Sequence, residues 1–157
     1  MSRWRISGLD PEPFEPLFAL SDDALHRLGA LRRIADDVPG FPCRIGLDDA
    51  PVGAELLLLP YEHHAAHSPY RASGPIFVSK GAMRRRLEAG EVPAAVARRL
   101  ISLRAYGRDA LMVDATVCEG SGVAAALDGF FAAPAVDYVH LHFAKRGCFS
   151  CAASRVD

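Results

Sequence analysis

The sequence predicts an α+β fold, a mainly antiparallel sheet with two or more short helices, and three features carry that expectation. Residues 30–78 break into short apolar runs separated by turn formers, and residues 100–117 alternate in the manner of a β-hairpin. An alanine-rich stretch after residue 121 repeats its large apolar side chains at helical spacing. The 157 residues are 50% hydrophobic and 24% charged, an ordinary globular composition. A domain of this length hides roughly 70% of its extended-chain surface on folding. Residues 1–157 are therefore expected to form a single domain, since no internal repeat or low-complexity linker divides them.

Taken in order, Arg3 to Ile6 is expected to open the chain as a short strand, and Pro11, Pro13 and Pro16 forbid a long helix before Leu17. Ser21 has the form of an N-cap, with Asp22 and Asp23 in the first turn and Leu25 and Leu28 on one side. A short helix over 21–28 follows, ended by Gly29. The runs Arg32 to Ala35, Cys43 to Leu47, Glu55 to Tyr61 and Pro75 to Val78 read as strands. Leu56 to Leu59 lacks alternation, which suits a central strand covered on both faces. Residues 62–74 read as a polar loop, rich in serine, proline and glycine.

In the second half, Pro93 to Arg99 predicts a short helix with proline at its first position. Strands Leu100 to Tyr106 and Leu111 to Val117 then pair through a turn at Gly107-Arg108-Asp109. The expected register sets Arg104 opposite Met112, Leu103 opposite Val113 and Ser102 opposite Asp114. It places Ile101, Leu103, Ala105, Leu111, Val113 and Ala115 on one face, and Ser102, Arg104, Tyr106, Asp114 and Thr116 on the other. A helix from Ser121 or Gly122 through Phe131 ends before Pro134. Val136 to Phe143 re-enters the sheet with Val139, Leu141 and Phe143 toward the core and Tyr138, His140 and His142 on the opposite face.

Charge and hydropathy exclude several classes. A net charge of -1 provides no field to gather nucleic acid, and the one basic run, Arg84-Arg85-Arg86, is followed closely by Glu88 and Glu91. No apolar run approaches a membrane span, so no membrane partner is expected. The N-terminal residues lack the apolar core of a signal peptide, so the chain is expected in the cytoplasm, with its four cysteines kept as thiols. Neither a phosphate-binding GxxxxGK[ST] loop nor an HExxH metal motif occurs.

Several segments together resemble a known family: RISGL near the start, FPCR at 41–44, SPYRASGPIFV at 68–78, LISLRAY followed by LMVDA, and VHLHFAKRGCFSC. They are similar to small bacterial proteins described as domain of unknown function 1203, and the resemblance runs from about Arg5 to Arg155. It implies a bacterial single-domain protein and supplies no catalytic residue. The family pattern often has asparagine after the second histidine of HxH, where this chain has Phe143.

Two constellations carry chemistry. His140 and His142 lie two residues apart on an expected strand, about 7 Å from each other on one face, and Cys148 and Cys151 form a CxxC at a turn that Gly147 permits. These four types suit a tetrahedral ion such as zinc. The same residues also fit a simpler arrangement, histidines lining a half-exposed sheet face beside idle thiols. Dithiol redox exchange is disfavoured, because only AASRVD follows Cys151 and cannot supply a helix dipole to acidify the thiol.

The alternative is a metal-free small-molecule-binding module or enzyme, using the polar sheet face and the 62–74 loop. Its candidates are His63, His67, Tyr70, Arg71, Arg104 and Asp114. Neutral imidazoles serve as bases near pH 7, and the Arg104 guanidinium either orients an anion or pairs with Asp114. A third class, a protein serving packing and partner contacts alone, stays open beside them.

Overall fold

A computed structural model describes residues 3–157. Eleven elements follow one another: β1 (Trp4–Ser7), α1 (Asp22–Arg27), β2 (Leu31–Ile34), β3 (Glu55–His64), β4 (Ala72–Ser79), α2 (Ala94–Ala97), β5 (Leu100–Tyr106), β6 (Met112–Glu119), α3 (Val123–Ala132), β7 (Tyr138–Phe143) and β8 (Phe149–Arg155). Short 3-10 turns precede α1 and α3. The strands form two antiparallel sheets, one ordered β1-β8-β7-β5-β6 and one ordered β2-β3-β4. The fold is α+β.

One face of the larger sheet is apolar because every second residue is. Trp4, Ile6, Ile101, Leu103, Val139, Leu141 and Ala153 are fully buried there with Val123, Leu127 and Phe131 of α3. The Trp4 indole reaches across to donate to Asp128 at 2.8 Å. In the smaller sheet, Leu56 and Leu57 are adjacent and both fully buried. This is what a central strand requires when Leu57, Ile76 and Val78 pack under Leu25 and Phe14 while Leu56 packs with Ala35 and Ala50 behind.

Ser21 caps α1 as expected, its hydroxyl accepting from the Ala24 amide at 3.1 Å, and Gly29 leaves the helix at φ 74°. Other expectations fail for identifiable reasons. Cys43 to Leu47 is a turn rather than a strand: the Leu47 amide folds back onto the Cys43 carbonyl at 2.9 Å, and Leu47 has φ 62°. The 62–74 loop is shorter, because β3 continues to His64 and β4 begins at Ala72. Pro93 caps α2 from outside the helix instead of opening it. Phe149 to Arg155, expected as a turn and tail, is β8, paired between β1 and β7.

The hairpin forms with a different register. Arg104 faces Ala115, not Met112, and Leu103 faces Thr116. The turn runs through Ala110 at φ 62°, and a bulge interrupts the pairing at Ala105/Tyr106. A three-residue shift is odd, so β6 is turned over. Val113, Ala115 and Val117 share the face of Arg104, whereas Asp114 and Thr116 lie on the face of Ala105 and Leu103.

Candidate functional site

The second face of the larger sheet carries Arg104, Tyr106, Tyr138, His140 and His142, as expected from alternation. It is not open. The far end of β3 lies over it, and the His63 ring stacks on Phe149 at 5.3 Å and meets His142 edge-on at 4.9 Å. His64 meets His140 edge-on at 5.2 Å. Adjacent strand residues ordinarily point to opposite sides, yet both histidines reach this layer because a bulge lies between Tyr61 and His64. Further bulges at Leu141/His142 and Ala105/Tyr106 place the three irregularities of strand pairing among the described residues around one cluster of four imidazoles.

The hydrogen bonds fix two tautomers. A carbonyl only accepts, so His64 Nδ1–H donates to the Tyr70 carbonyl at 2.7 Å, and its Nε2 accepts from the Tyr138 hydroxyl at 2.6 Å. Likewise His142 Nδ1–H donates to the Gly147 carbonyl at 3.1 Å, leaving a bare lone pair on Nε2. That nitrogen is buried without a partner, as are His63 Nδ1 and His140 Nδ1. Burial, with Arg104 and neighbouring imidazoles adding to it, lowers His140 to about 3. Burial also lowers His142 to about 4, against the pull of its bond to Gly147. His63 is lowered by burial and by Arg104. His140 and His142 are thus neutral near pH 7.

A cavity of about 270 Å³ opens beside this cluster, bounded by His63, His142, Phe149, the β7–β8 turn at Arg146-Gly147-Cys148, the start of β4 and Arg104. None of its lining residues is acidic. Among the described residues, neither Arg104 nor Arg146 joins an ion pair. A larger recess of about 390 Å³ beside β2 and β3 is lined without any charged residue, so convergent chemistry distinguishes the smaller one.

Of the expected ligand-binding residues, the fold brings His63 and Arg104 to the cavity and leaves the rest outside its lining. Arg71 pairs with Glu62 at 2.9 Å on the surface. His67 is exposed. Tyr70 contributes its carbonyl to His64 and sets its ring edge-on to Tyr106 at 6.1 Å. Asp114 lies on the opposite face from Arg104, its carboxylate accepting from the Ala115 amide at 2.8 Å.

The four expected metal ligands do not converge. Cys151 sits opposite Leu141 in β8 and points into the apolar core, on the other side of the sheet from His140 and His142. Complete burial pushes its thiol up to about 12. Cys148 stays near the cavity, where its sulfur accepts from Arg44 at 3.2 Å. The CxxC spacing is split because Cys148 precedes β8 while Cys151 lies within it. Among the described residues, no group of three or more histidine, cysteine or acidic residues is arranged to hold a metal ion. All four cysteines are free.

Arg44 was not singled out in the sequence. It is 2% exposed, donates to the Phe149 carbonyl at 2.8 Å and the Pro42 carbonyl at 2.5 Å, and lies over the Phe143 ring at 5.0 Å. Among the described residues no carboxylate pairs with it; burial lowers its pKa while the nearby thiols oppose that shift. It fastens the 43–46 turn to the wall that carries Cys148 and Phe149. The FPCR segment supplied a weak sign of it, since nothing in sequence says that this arginine points inward.

The model of one family, described as "Protein of unknown function (DUF1203)", matches residues 40–155. No curated protein matches the chain, and no solved structure does. Among the described residues, no helix is long and apolar enough to cross a membrane.

Proposed function

The chain belongs to the DUF1203 family, whose description assigns no activity, and we propose that it binds a small oxyanion bearing a hydroxyl group in the cavity between its two sheets. The observation that carries this reading is the pairing of two uncompensated arginines with a buried, unpartnered acceptor nitrogen. Arg104 and Arg146 supply positive charge without an acid to offset it, which suits carboxylate or phosphate oxygens. His142 Nε2, held as an acceptor by the bond from Nδ1 to Gly147, calls for a donor that none of the described residues provides. Monohydrogen phosphate and a 2-hydroxycarboxylate both combine the two groups; sulfate and acetate at neutral pH lack the donor.

The same geometry favours holding such a ligand over deprotonating it. Burial keeps His142 at about 4, so at pH 7 its Nε2 accepts the hydroxyl's hydrogen bond without taking its proton, while Arg104 holds the anionic end. The Tyr138–His64 pair stands behind it in the aromatic layer, with Tyr106 stacked on Tyr138 at 5.2 Å. We place this chemistry in the cytoplasm, whose reducing conditions suit the four free thiols.

Isothermal titration at pH 7 with phosphate, lactate, sulfate and acetate tests the reading. Phosphate or lactate is expected to bind more tightly than its hydroxyl-free counterpart. Arg104→Gln is expected to weaken that binding about 10-fold to 100-fold, the value of a charge-assisted contact. Equal binding of all four anions, no binding of any, or an unaffected Arg104→Gln variant would overturn it.

A further inference from the structure

We infer that β6 is a self-pairing edge, through which two copies of this chain join their larger sheets side by side in antiparallel register. A sheet edge exposes unpaired amides and carbonyls, and proteins ordinarily cover it, shorten it or charge it. Three edges here are treated in those ways. Residues 85–90 cover β1, with Gly8 donating to Arg85 at 3.1 Å and Gly90 to Trp4 at 3.0 Å. The 43–44 turn covers part of β4, with Arg44 donating to Phe77 at 3.0 Å. β2 is four residues long and carries Arg32 and Arg33.

β6 is neither covered nor short, and the charges it carries are Asp114 and Glu119 alone. It is eight residues long, lacks lysine, arginine and proline, and presents Val113 at 49% and Val117 at 57% exposure. Its Ala115 amide donates to the Asp114 side chain rather than across the ladder, which places the Ala115 backbone groups on the open edge. Alternation gives Val113 and Val117 the same orientation.

The sequence of β6 is complementary to itself. With Ala115 opposite Ala115 of a second copy, Val113 meets Val117 and Val117 meets Val113 on one face. On the other face, Asp114 meets Thr116 in both halves, carboxylate to hydroxyl. Glu119 meets Leu111, and no like charges are opposed. Sliding the register by two residues toward the N-terminus would set Asp114 against Asp114. The outward backbone groups at 113, 115 and 117 all find partners in the first arrangement, and a two-fold axis through Ala115 closes the assembly.

This pairing is independent of the anion site, and its test needs no ligand. Sedimentation of the full chain at about 100 µM, well above a micromolar Kd, is expected to give twice the 16.9 kDa chain mass. The exposed double variant Val113→Lys/Val117→Lys is expected to give the single-chain mass. Under mild oxidation, Ala115→Cys is expected to cross-link to its own copy, since hydrogen-bonded partners lie about 5.5 Å apart, within disulfide reach. Val113→Cys, displaced from its symmetry mate by roughly 13 Å along the strand, is expected to remain uncross-linked, as is the wild type. A monomer throughout the concentration series, a lysine variant that stays dimeric, or equal cross-linking at 113 and 115 would overturn the inference. If the lysine variant does not fold, the cross-linking pattern decides alone. A monomeric result would leave this edge for a strand from another protein.

Discussion

The buried imidazoles make the site sensitive to acid. His140 and His142 are held at about 3 and about 4, below the ordinary 6.5, chiefly because burial penalises their charged forms. The unfolded chain therefore takes up protons first as pH falls. Their contribution to stability is complete above pH 6.5 and is lost progressively as pH is lowered toward those folded values. Between pH 6.5 and 5, above most of the carboxylate range, the loss is about 2 kcal/mol for each histidine at 1.36 kcal/mol per unit. Urea unfolding across this window is expected to show that decline, and His140→Gln is expected to flatten it by about half. A stability profile that is level from pH 6.5 to 5 would mean that the two rings accept protons freely in the folded chain.

Among the elements, irregularities decide what reaches the site, and this marks how far the sequence could be read. Alternation placed Tyr138, His140 and His142 on one face of β7 correctly, and the Ser21 cap, Gly29 and the α3 stripe announced their helices. Alternation could not reveal the bulge that brings both His63 and His64 to the cluster. Nor could it set the β6 register, which depends on Ala110 adopting φ 62° where a glycine would be the ordinary choice. β8 escapes a reading by pattern because its small residues, Ser150, Ala152, Ala153 and Ser154, carry little strand signal. With β8 unseen, Cys148 and Cys151 looked like one clasp.

The turn at 43–46 holds a second lesson at the same scale. Gly8, in the RISGL segment, approaches that turn so closely that an added Cβ would lie 2.0 Å from the Ile45 carbonyl oxygen. Its neighbour Leu9 donates to the Arg44 carbonyl at 2.9 Å. Two segments far apart in sequence are thus pressed together through backbone, which no side-chain pattern could disclose. Gly8→Ala is expected to cost at least about 2 kcal/mol, because backbone must shift on one side or the other. Chemical denaturation measures it, and an unchanged midpoint would show that the contact is loose.

For the molecule as a whole, the two sheets divide the labour. The larger sheet buries an apolar face under α3 and turns its polar face toward the smaller sheet, whose strand β3 delivers two histidines. The cavity lies where that cover ends, so it combines groups that water would otherwise solvate: buried lone pairs on one side and unpaired guanidinium groups on the other. A hydroxylated anion satisfies both at once. The most direct measurement is the imidazole nitrogen NMR spectrum of the full chain at pH 7, recorded with phosphate and with sulfate at equal ionic strength. Before addition, His142 is predicted to carry its proton on Nδ1 and none on Nε2. Phosphate is predicted to shift the His142 Nε2 resonance while sulfate leaves it in place. A protonated Nε2 in the free protein, or a His142 resonance indifferent to phosphate, would contradict the account.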